Sequence, residues 1–136
     1  MPVAAIGALL ARRPRLAASI ALSGAVTYGL AKVVKRFVTR GRPSTLIADA
    51  EIRGAAAHGL GLVSGHAAVI AALATVAFPY LSPRWRWVAA GLAAFVAVAR
   101  VYVAAHLPLD VVGGAGLGLL VGSLVKVACG SPKPCS

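Results

Sequence analysis

Four long apolar stretches, separated by short polar or helix-breaking segments, run along the chain of 136 residues. A helix needs about 17–25 mostly apolar residues to cross a bilayer, and each stretch is close to that length. Gly41-Arg42-Pro43 follows the first stretch, Ser82-Pro83 follows the second, and Pro108 stands where a fourth helix would begin. The pattern predicts four transmembrane helices, at about Leu16–Val34, Ser64–Leu81, Trp85–Val103 and Pro108–Ala128.

The N-terminal end adds a short apolar segment to this bundle. Met1 to Ala11 is apolar but too short to cross alone, so we expect it at the interface or packed on the bundle. Arg12-Arg13-Pro14-Arg15 before an apolar run is similar to a signal sequence, but three more apolar stretches follow and favour an anchored helix. We therefore predict an all-α integral membrane bundle with an N-terminal segment (1–15), a membrane domain (16–128) and a C-terminal tail (129–136).

Composition and charge agree with a membrane location. Apolar residues make up 60% of the chain and charged residues 12%, and 14 Lys and Arg stand against 3 Asp and Glu. A soluble domain has about 25% charged residues, and a disordered chain is far less apolar. A soluble nucleic-acid binder would explain the basic charge but not the apolar runs, so we expect no nucleic-acid partner. The cations are expected at lipid headgroups.

Two further features have structural explanations. Gly114, Gly118 and Gly122 form a small-residue stripe on the fourth helix, which predicts close packing inside the bundle or, alternatively, contact with a second copy or a partner. Cys129 and Cys135 lie in or beside a Gly/Ser/Pro-rich tail without metal-ligand spacing, and we interpret them as incidental thiols.

Polar side chains concentrate at four helix ends that an antiparallel bundle brings to one membrane face. Charged groups at such positions are costly and need a reason, although each alone could snorkel to headgroups or pair inside the bundle. Three cations, two histidines and one carboxylate together suit a phosphate group. The candidate site residues are Lys35, Arg42, Ser64, Gly65, His66, Arg100, His106 and Asp110.

Local spacing refines this cluster. Lys35 and Arg42 are seven residues apart and would share a face if the first helix continued. Ser64-Gly65-His66 begins a helix, where free N–H groups and the positive dipole end bind phosphate.

His106 and Asp110 are four residues apart, so on a helix Asp110 can accept a hydrogen bond from one imidazole nitrogen and leave the other to attack. Arg100 is six residues before His106, which requires a helix break near Ala104–Leu107 to bring both together.

Three motifs in order resemble the signatures of the type 2 phosphatidic acid phosphatase family. Lys35 with six residues and Arg42-Pro43 is similar to the first, Val63-Ser64-Gly65-His66 to the second, and Ala99-Arg100…His106…Asp110 to the third. Val63 replaces a proline and Ala99 a serine that contacts phosphate in the family. Many members have six helices, more than this chain can form. His58 matches no motif and is interpreted as a loop residue.

The resemblance implies a metal-independent phosphatase without cofactors, acting on a lipid phosphate of phosphatidate or polyprenyl type. By it, His106 is the nucleophile that forms a phosphohistidine, Asp110 orients it, and His66 protonates the leaving oxygen. The phosphate-binding residues would be Lys35, Arg42, Ser64, Gly65 and Arg100. The alternatives are a weakly active subunit that binds anionic lipid or stabilises a partner enzyme, and a vanadate-dependent haloperoxidase, whose relatives are soluble.

The distribution of cations predicts orientation in the membrane. Each face has seven Lys and Arg residues, but Lys35, Arg42 and Arg100 on one face are assigned to chemistry, which leaves four there as topological signals. Cytoplasmic loops carry the excess of Lys and Arg. We therefore expect both termini in the cytoplasm and the candidate site on the extracytoplasmic face of the plasma membrane.

Overall fold

The computed structural model describes residues 13–38, 41 and 61–130, and this part of the chain is helical without strands. Four α-helices follow one another: α1 (Pro14–Phe37), α2 (Gly65–Ala77), α3 (Pro83–Tyr102) and α4 (Pro108–Cys129). A 3₁₀ turn (Phe78–Tyr80) continues α2. The predicted all-α class is confirmed, and each predicted stretch contains one helix.

Prolines set several helix boundaries. Pro14, Pro83 and Pro108 each occupy the first position of a helix, where a missing N–H costs nothing and the fixed φ suits the helix. Pro79 has no N–H to continue α2, so the α-helix ends at Ala77 instead of near Leu81. With 13 residues, α2 is a shorter apolar helix, and three helices (α1, α3 and α4) are long and apolar enough to cross a membrane. The predicted count of four spanning helices is therefore not confirmed.

The glycine stripe of α4 packs against α2. A Cβ added at Gly118 would overlap the Ala68 carbonyl oxygen, and one at Gly114 would lie 2.5 Å from the Ser64 carbonyl oxygen. Only glycine permits this backbone approach. The glycine stripe thus packs inside the bundle against α2, and contact with a second copy or a partner through this face is not shown.

One face of α1 is also built from small side chains. Ser19, Ser23, Thr27 and Ala31 recur at every fourth position and are all buried. Small residues at this spacing let helices approach closely in an apolar environment. Farther toward the start of α1, Leu16 and Ile20 pack with residues of α2 and α4 in an aliphatic cluster. Thus α1, α2 and α4 form the tight part of the bundle.

By contrast, α3 lies at the edge of this unit. None of its residues is buried, and Trp87, Leu92 and Phe95 are more than half exposed. At its start, the Arg86 Nε donates to the Phe78 carbonyl oxygen over 3.0 Å. The Arg13 Nη1 donates to the Tyr80 carbonyl oxygen over 3.2 Å at the same end. The start of α1, the end of α2 and the start of α3 therefore meet, as an antiparallel arrangement requires.

Candidate active site

The candidate site lies at the opposite end of the bundle, where α2 and α4 begin. The Ser64 N–H donates to the Asp110 carbonyl oxygen over 2.8 Å, which joins the two helix starts directly. Both residues are completely buried. This hydrogen bond brings the second motif and the third motif together, although 46 residues separate Ser64 and Asp110 in the chain.

Ser64 caps α2 and leaves its first turn open. The Ser64 Oγ accepts from the Ala67 N–H over 3.5 Å, and the N–H groups of Gly65 and His66 have no acceptor within the helix by geometry. A Cβ at Gly65 would meet no atom of the described residues within 4 Å. His66 itself is exposed. The first turn of α2 therefore presents N–H groups and an imidazole in open space, which suits an anion.

His106 and Asp110 form a buried pair at the start of α4. The His106 Nδ1 lies 3.8 Å from the Asp110 Oδ2, a distance within ion-pair range and longer than a hydrogen bond. Asp110 Oδ2 also accepts from the Leu107 N–H over 3.0 Å, so the carboxylate caps α4 while facing the imidazole. The structure thus brings the His106 Nδ1 and the Asp110 carboxylate together, as the spacing of four residues predicts.

The predicted break between α3 and α4 is confirmed and explains how Arg100 reaches His106. The α-helix ends at Tyr102, and Ala104 adopts a left-handed conformation with φ of 54°. A non-glycine residue in this region costs free energy and persists only where its surroundings impose it. The turn lets the N–H groups of Ala105 and His106 both donate to the Arg100 carbonyl oxygen over 3.2 Å.

Two cations from other helices act on His66. The positive charges of Arg100, at the end of α3, and Lys35, near the end of α1, are both within electrostatic range of its imidazole. The Arg100 Nε is buried and has no hydrogen-bond partner among the residues that the structure describes. A buried donor without an acceptor is costly, and an anion in the site would satisfy it.

Arg42 lies outside the described residues, but its neighbour Gly41 lies beside the site. A Cβ at Gly61 would lie 2.8 Å from the Gly41 carbonyl oxygen and 3.3 Å from the Asp110 Oδ2. The expectation that Lys35 and Arg42 share one continuing helix is wrong, because α1 ends at Phe37 and Val38 is extended. The chain instead leaves the helix and passes Gly61.

Sequence reasoning overlooked Gly61 and the Leu107 N–H. Gly61 has no motif around it, and its only local signal is a position three residues before the Ser64 cap. Because Pro108 begins α4, Leu107 is the residue that precedes the helix. Its N–H can therefore donate to the carboxylate of Asp110, three residues later. Among the described residues, no group of three or more His, Cys, Asp and Glu is placed to hold a metal ion.

Comparisons with known proteins place these features in a family. The chain is 28% identical over 135 residues to a protein named undecaprenyl-diphosphatase from Sulfolobus acidocaldarius, covering 98% of this chain. It spans 65% of the length of that curated relative. No solved structure matches the chain. The family model of the PAP2 superfamily matches residues 15–132, which include all three motifs, all but the first residue of α1, and the whole of α2, α3 and α4. The chain therefore belongs to the PAP2 superfamily.

Proposed function

We propose that this protein is a metal-independent membrane phosphatase that hydrolyses a phosphomonoester or pyrophosphate bond of a lipid through a phosphohistidine. The observation that carries the proposal is the buried His106–Asp110 pair joined to the start of α2 through the Ser64–Asp110 hydrogen bond. A nucleophile with an orienting carboxylate beside exposed helix N–H groups is what in-line phosphoryl transfer needs.

In the first step, the lone pair of His106 Nε2 attacks phosphorus, and the bond from phosphorus to the leaving oxygen breaks. His66 donates a proton to that oxygen, which leaves as an alcohol or a lipid phosphate. In the second step, His66 accepts a proton from water as the water oxygen attacks phosphorus. The bond between phosphorus and Nε2 then breaks and releases inorganic phosphate. The exposed position of His66 suits both exchanges with solvent.

The surrounding positive groups would hold the phosphoryl oxygens in both steps. Arg100 and Lys35 approach His66 from two helices, and the N–H groups of Gly65 and His66 point out of α2. The Ser64 Oγ accepts from Ala67, so its own proton remains available to donate to a phosphoryl oxygen. We assign Arg42 to the same role from its motif, with Gly41 beside the site as support.

The apolar setting supports a lipid substrate. Three helices are long and apolar enough to cross a membrane, and the proposed site is at one end of this bundle, where a headgroup would lie. The relative named undecaprenyl-diphosphatase supports a prenyl diphosphate, and phosphatidate-type lipids share the same phosphate chemistry. We propose the extracytoplasmic face of the plasma membrane as the location, from the distribution of Lys and Arg.

The test is phosphate release by the full chain, purified in detergent, from a panel of lipid phosphates and diphosphates. We expect turnover that resists a chelator, is inhibited by vanadate and is lost in His106→Ala. His58→Ala is the matched control, because it removes a histidine that belongs to no motif. Trapping with phosphorus-32 substrate and acid-quench analysis should give a phosphohistidine in the wild type.

Two outcomes would contradict the proposal. Undiminished turnover in His106→Ala would remove the proposed nucleophile. No turnover of any substrate by folded protein would favour the alternative of an anionic-lipid-binding subunit.

A further inference from the structure

Gly61 is the point at which the segment that follows α1 contacts the start of α4. It is buried and lies three residues before the Ser64 cap. A Cβ at Gly61 would lie 2.8 Å from the carbonyl oxygen of Gly41 and 3.3 Å from the Asp110 Oδ2. Non-bonded heavy atoms pack best at about 3.5 Å or more, so a side chain here would collide with the Gly41 backbone. Because the φ of Gly61 is not positive, glycine is needed for its neighbours and not for the backbone conformation.

Of these two neighbours, Asp110 is the one that is held in place. Its carbonyl oxygen accepts from the Ser64 N–H over 2.8 Å, and its Oδ2 accepts from the Leu107 N–H over 3.0 Å. Both hydrogen bonds belong to the tight part of the bundle. Gly41, by contrast, lies four residues beyond Phe37, where α1 ends. A side chain between the two would therefore displace the segment around Gly41 and leave the carboxylate where it is.

The segment around Gly41 carries the second cation of the first motif. Arg42, assigned above to the phosphoryl oxygens, is the next residue in the chain. Lys35, the other cation of that motif, belongs to α1 and acts on His66 from there. Because α1 ends two residues after Lys35, the helix fixes the position of Lys35 but not that of Arg42. The contact of Gly41 with Gly61 supplies the missing constraint.

We propose that Gly61 is a positioning residue, whose missing side chain lets Gly41 approach the start of α4 and thereby sets where Arg42 meets the phosphate. The inference rests on the proposed function and adds what holds the first motif at the site. Gly61 acts through Arg42 and not by contact with the phosphate. An added methyl would move the Gly41 carbonyl oxygen by at least about 0.5 Å. Since a misplacement of about 1 Å can cost about a hundredfold in rate, we expect an effect of about tenfold.

A double-mutant cycle tests whether Gly61 acts through Arg42. KM, kcat and the inhibition constant of vanadate are measured in detergent for the wild type, Gly61→Ala, Arg42→Ala and the double variant, with the best substrate of the lipid panel. Gly122→Ala is the matched control, because a Cβ there would lie 2.9 Å from the Ala72 carbonyl oxygen. The collision is similar, but Gly122 is 12 residues beyond Asp110, about 18 Å along α4. Thermal unfolding of every variant accompanies the kinetics.

We expect the effect of Gly61→Ala to depend on Arg42. Gly61→Ala should raise KM and the inhibition constant of vanadate by about tenfold with little change in kcat, because Arg42 is proposed to hold the phosphoryl oxygens in the bound substrate and during transfer alike. In the Arg42→Ala background, the same substitution should change KM by less than about twofold. Gly122→Ala should unfold earlier and keep the KM of the wild type. An unchanged KM in Gly61→Ala, an equal rise in both backgrounds or a loss of kcat alone would each overturn the positioning role.

A labelling measurement is independent of turnover and of whether Gly61→Ala folds. In a background of Cys129→Ser and Cys135→Ser, the thiol introduced by Gly41→Cys is treated with a maleimide in detergent, and inorganic phosphate should slow its labelling several-fold. The native thiol of Cys129, at the far end of α4, is the control in a Cys135→Ser protein and should react at the same rate with and without phosphate. Absence of protection in Gly41→Cys overturns the inference even if hydrolysis is observed. Protection without hydrolysis supports the place of this segment at an anion site and contradicts the phosphatase.

Discussion

Asp110 has two separable tasks in the structure, and substitution by asparagine or alanine separates them. Its Oδ2 accepts from the Leu107 N–H over 3.0 Å, which caps α4, and lies 3.8 Å from the His106 Nδ1. Asp110→Asn keeps a carbonyl oxygen for the cap and removes the charge. Asp110→Ala removes both and leaves the Leu107 N–H without this acceptor.

The distance gives the size of the expected effect on catalysis. In the proposed mechanism, the imidazole of His106 becomes cationic when its Nε2 bonds to phosphorus, and the carboxylate would stabilise that charge. Two unit charges at the 3.8 Å separation interact by about 4 kcal/mol at an effective dielectric constant of about 20. Because about 1.4 kcal/mol corresponds to tenfold in rate, we expect kcat to fall about a thousandfold in Asp110→Asn.

Stability should distinguish the two variants. Loss of the acceptor for the half-buried Leu107 N–H costs about 1 kcal/mol, so Asp110→Ala should unfold earlier than the wild type, whereas Asp110→Asn should stay close to it. The assays are steady-state phosphate release and thermal unfolding in the same detergent. A kcat of Asp110→Asn within tenfold of the wild type would refute the electrostatic role of the carboxylate. Equal destabilisation of both variants would refute the separation of tasks.

Three further predictions follow from the described contacts. Gly118→Ala should destabilise the bundle by about 1–3 kcal/mol, because its methyl would overlap the Ala68 carbonyl oxygen. Gly116→Ala, with no described residue within 4 Å of the added methyl, should gain up to about 1 kcal/mol in helix propensity. Chemical unfolding in detergent checks the order of the two stabilities, and the reverse order would contradict the packing. Gly65→Ala creates no contact with a described residue within 4 Å, so the stability of the variant should not fall. Its kcat/KM should drop at least about tenfold, because the methyl lies where phosphate would approach. Unchanged kinetics would remove Gly65 from the site. Ser82 lies at the exposed turn before α3, on the side predicted to be cytoplasmic. In a cysteine-free background, the thiol of Ser82→Cys should react with an impermeant maleimide only after cells are permeabilised. Labelling of intact cells would invert the proposed orientation.

Much of the fold was predictable because the helix boundaries have local causes. Pro108 and Pro83 mark helix starts, and the glycine stripe of α4 identifies a packed face. The inward face of α1 was harder to find, because it carries small and polar side chains, whereas large apolar residues usually mark the face that packs on the core. The burial of Ser19, Ser23 and Thr27 depends on the positions of α2 and α4 and is known only from the structure.

The candidate site divides in the same way. The helix start at Ser64-Gly65-His66 and the break before His106 followed from residue types and spacing, because each depends on the nearest few residues. The approach of Gly41 to Gly61 depends on how two distant segments meet, which no local pattern encodes.

The groups of the proposed site come partly from the tight part of the bundle and partly from α3 at its edge. Ser64 and the His106–Asp110 pair belong to α2 and α4, whose backbones touch at Gly114 and are joined by a hydrogen bond, so the nucleophile and the helix N–H groups keep a fixed separation. Arg100 comes from α3, which has no buried residue. A phosphate in the proposed site would supply the acceptor that the Arg100 Nε lacks among the described residues, and would thereby join α3 to the tight part of the bundle.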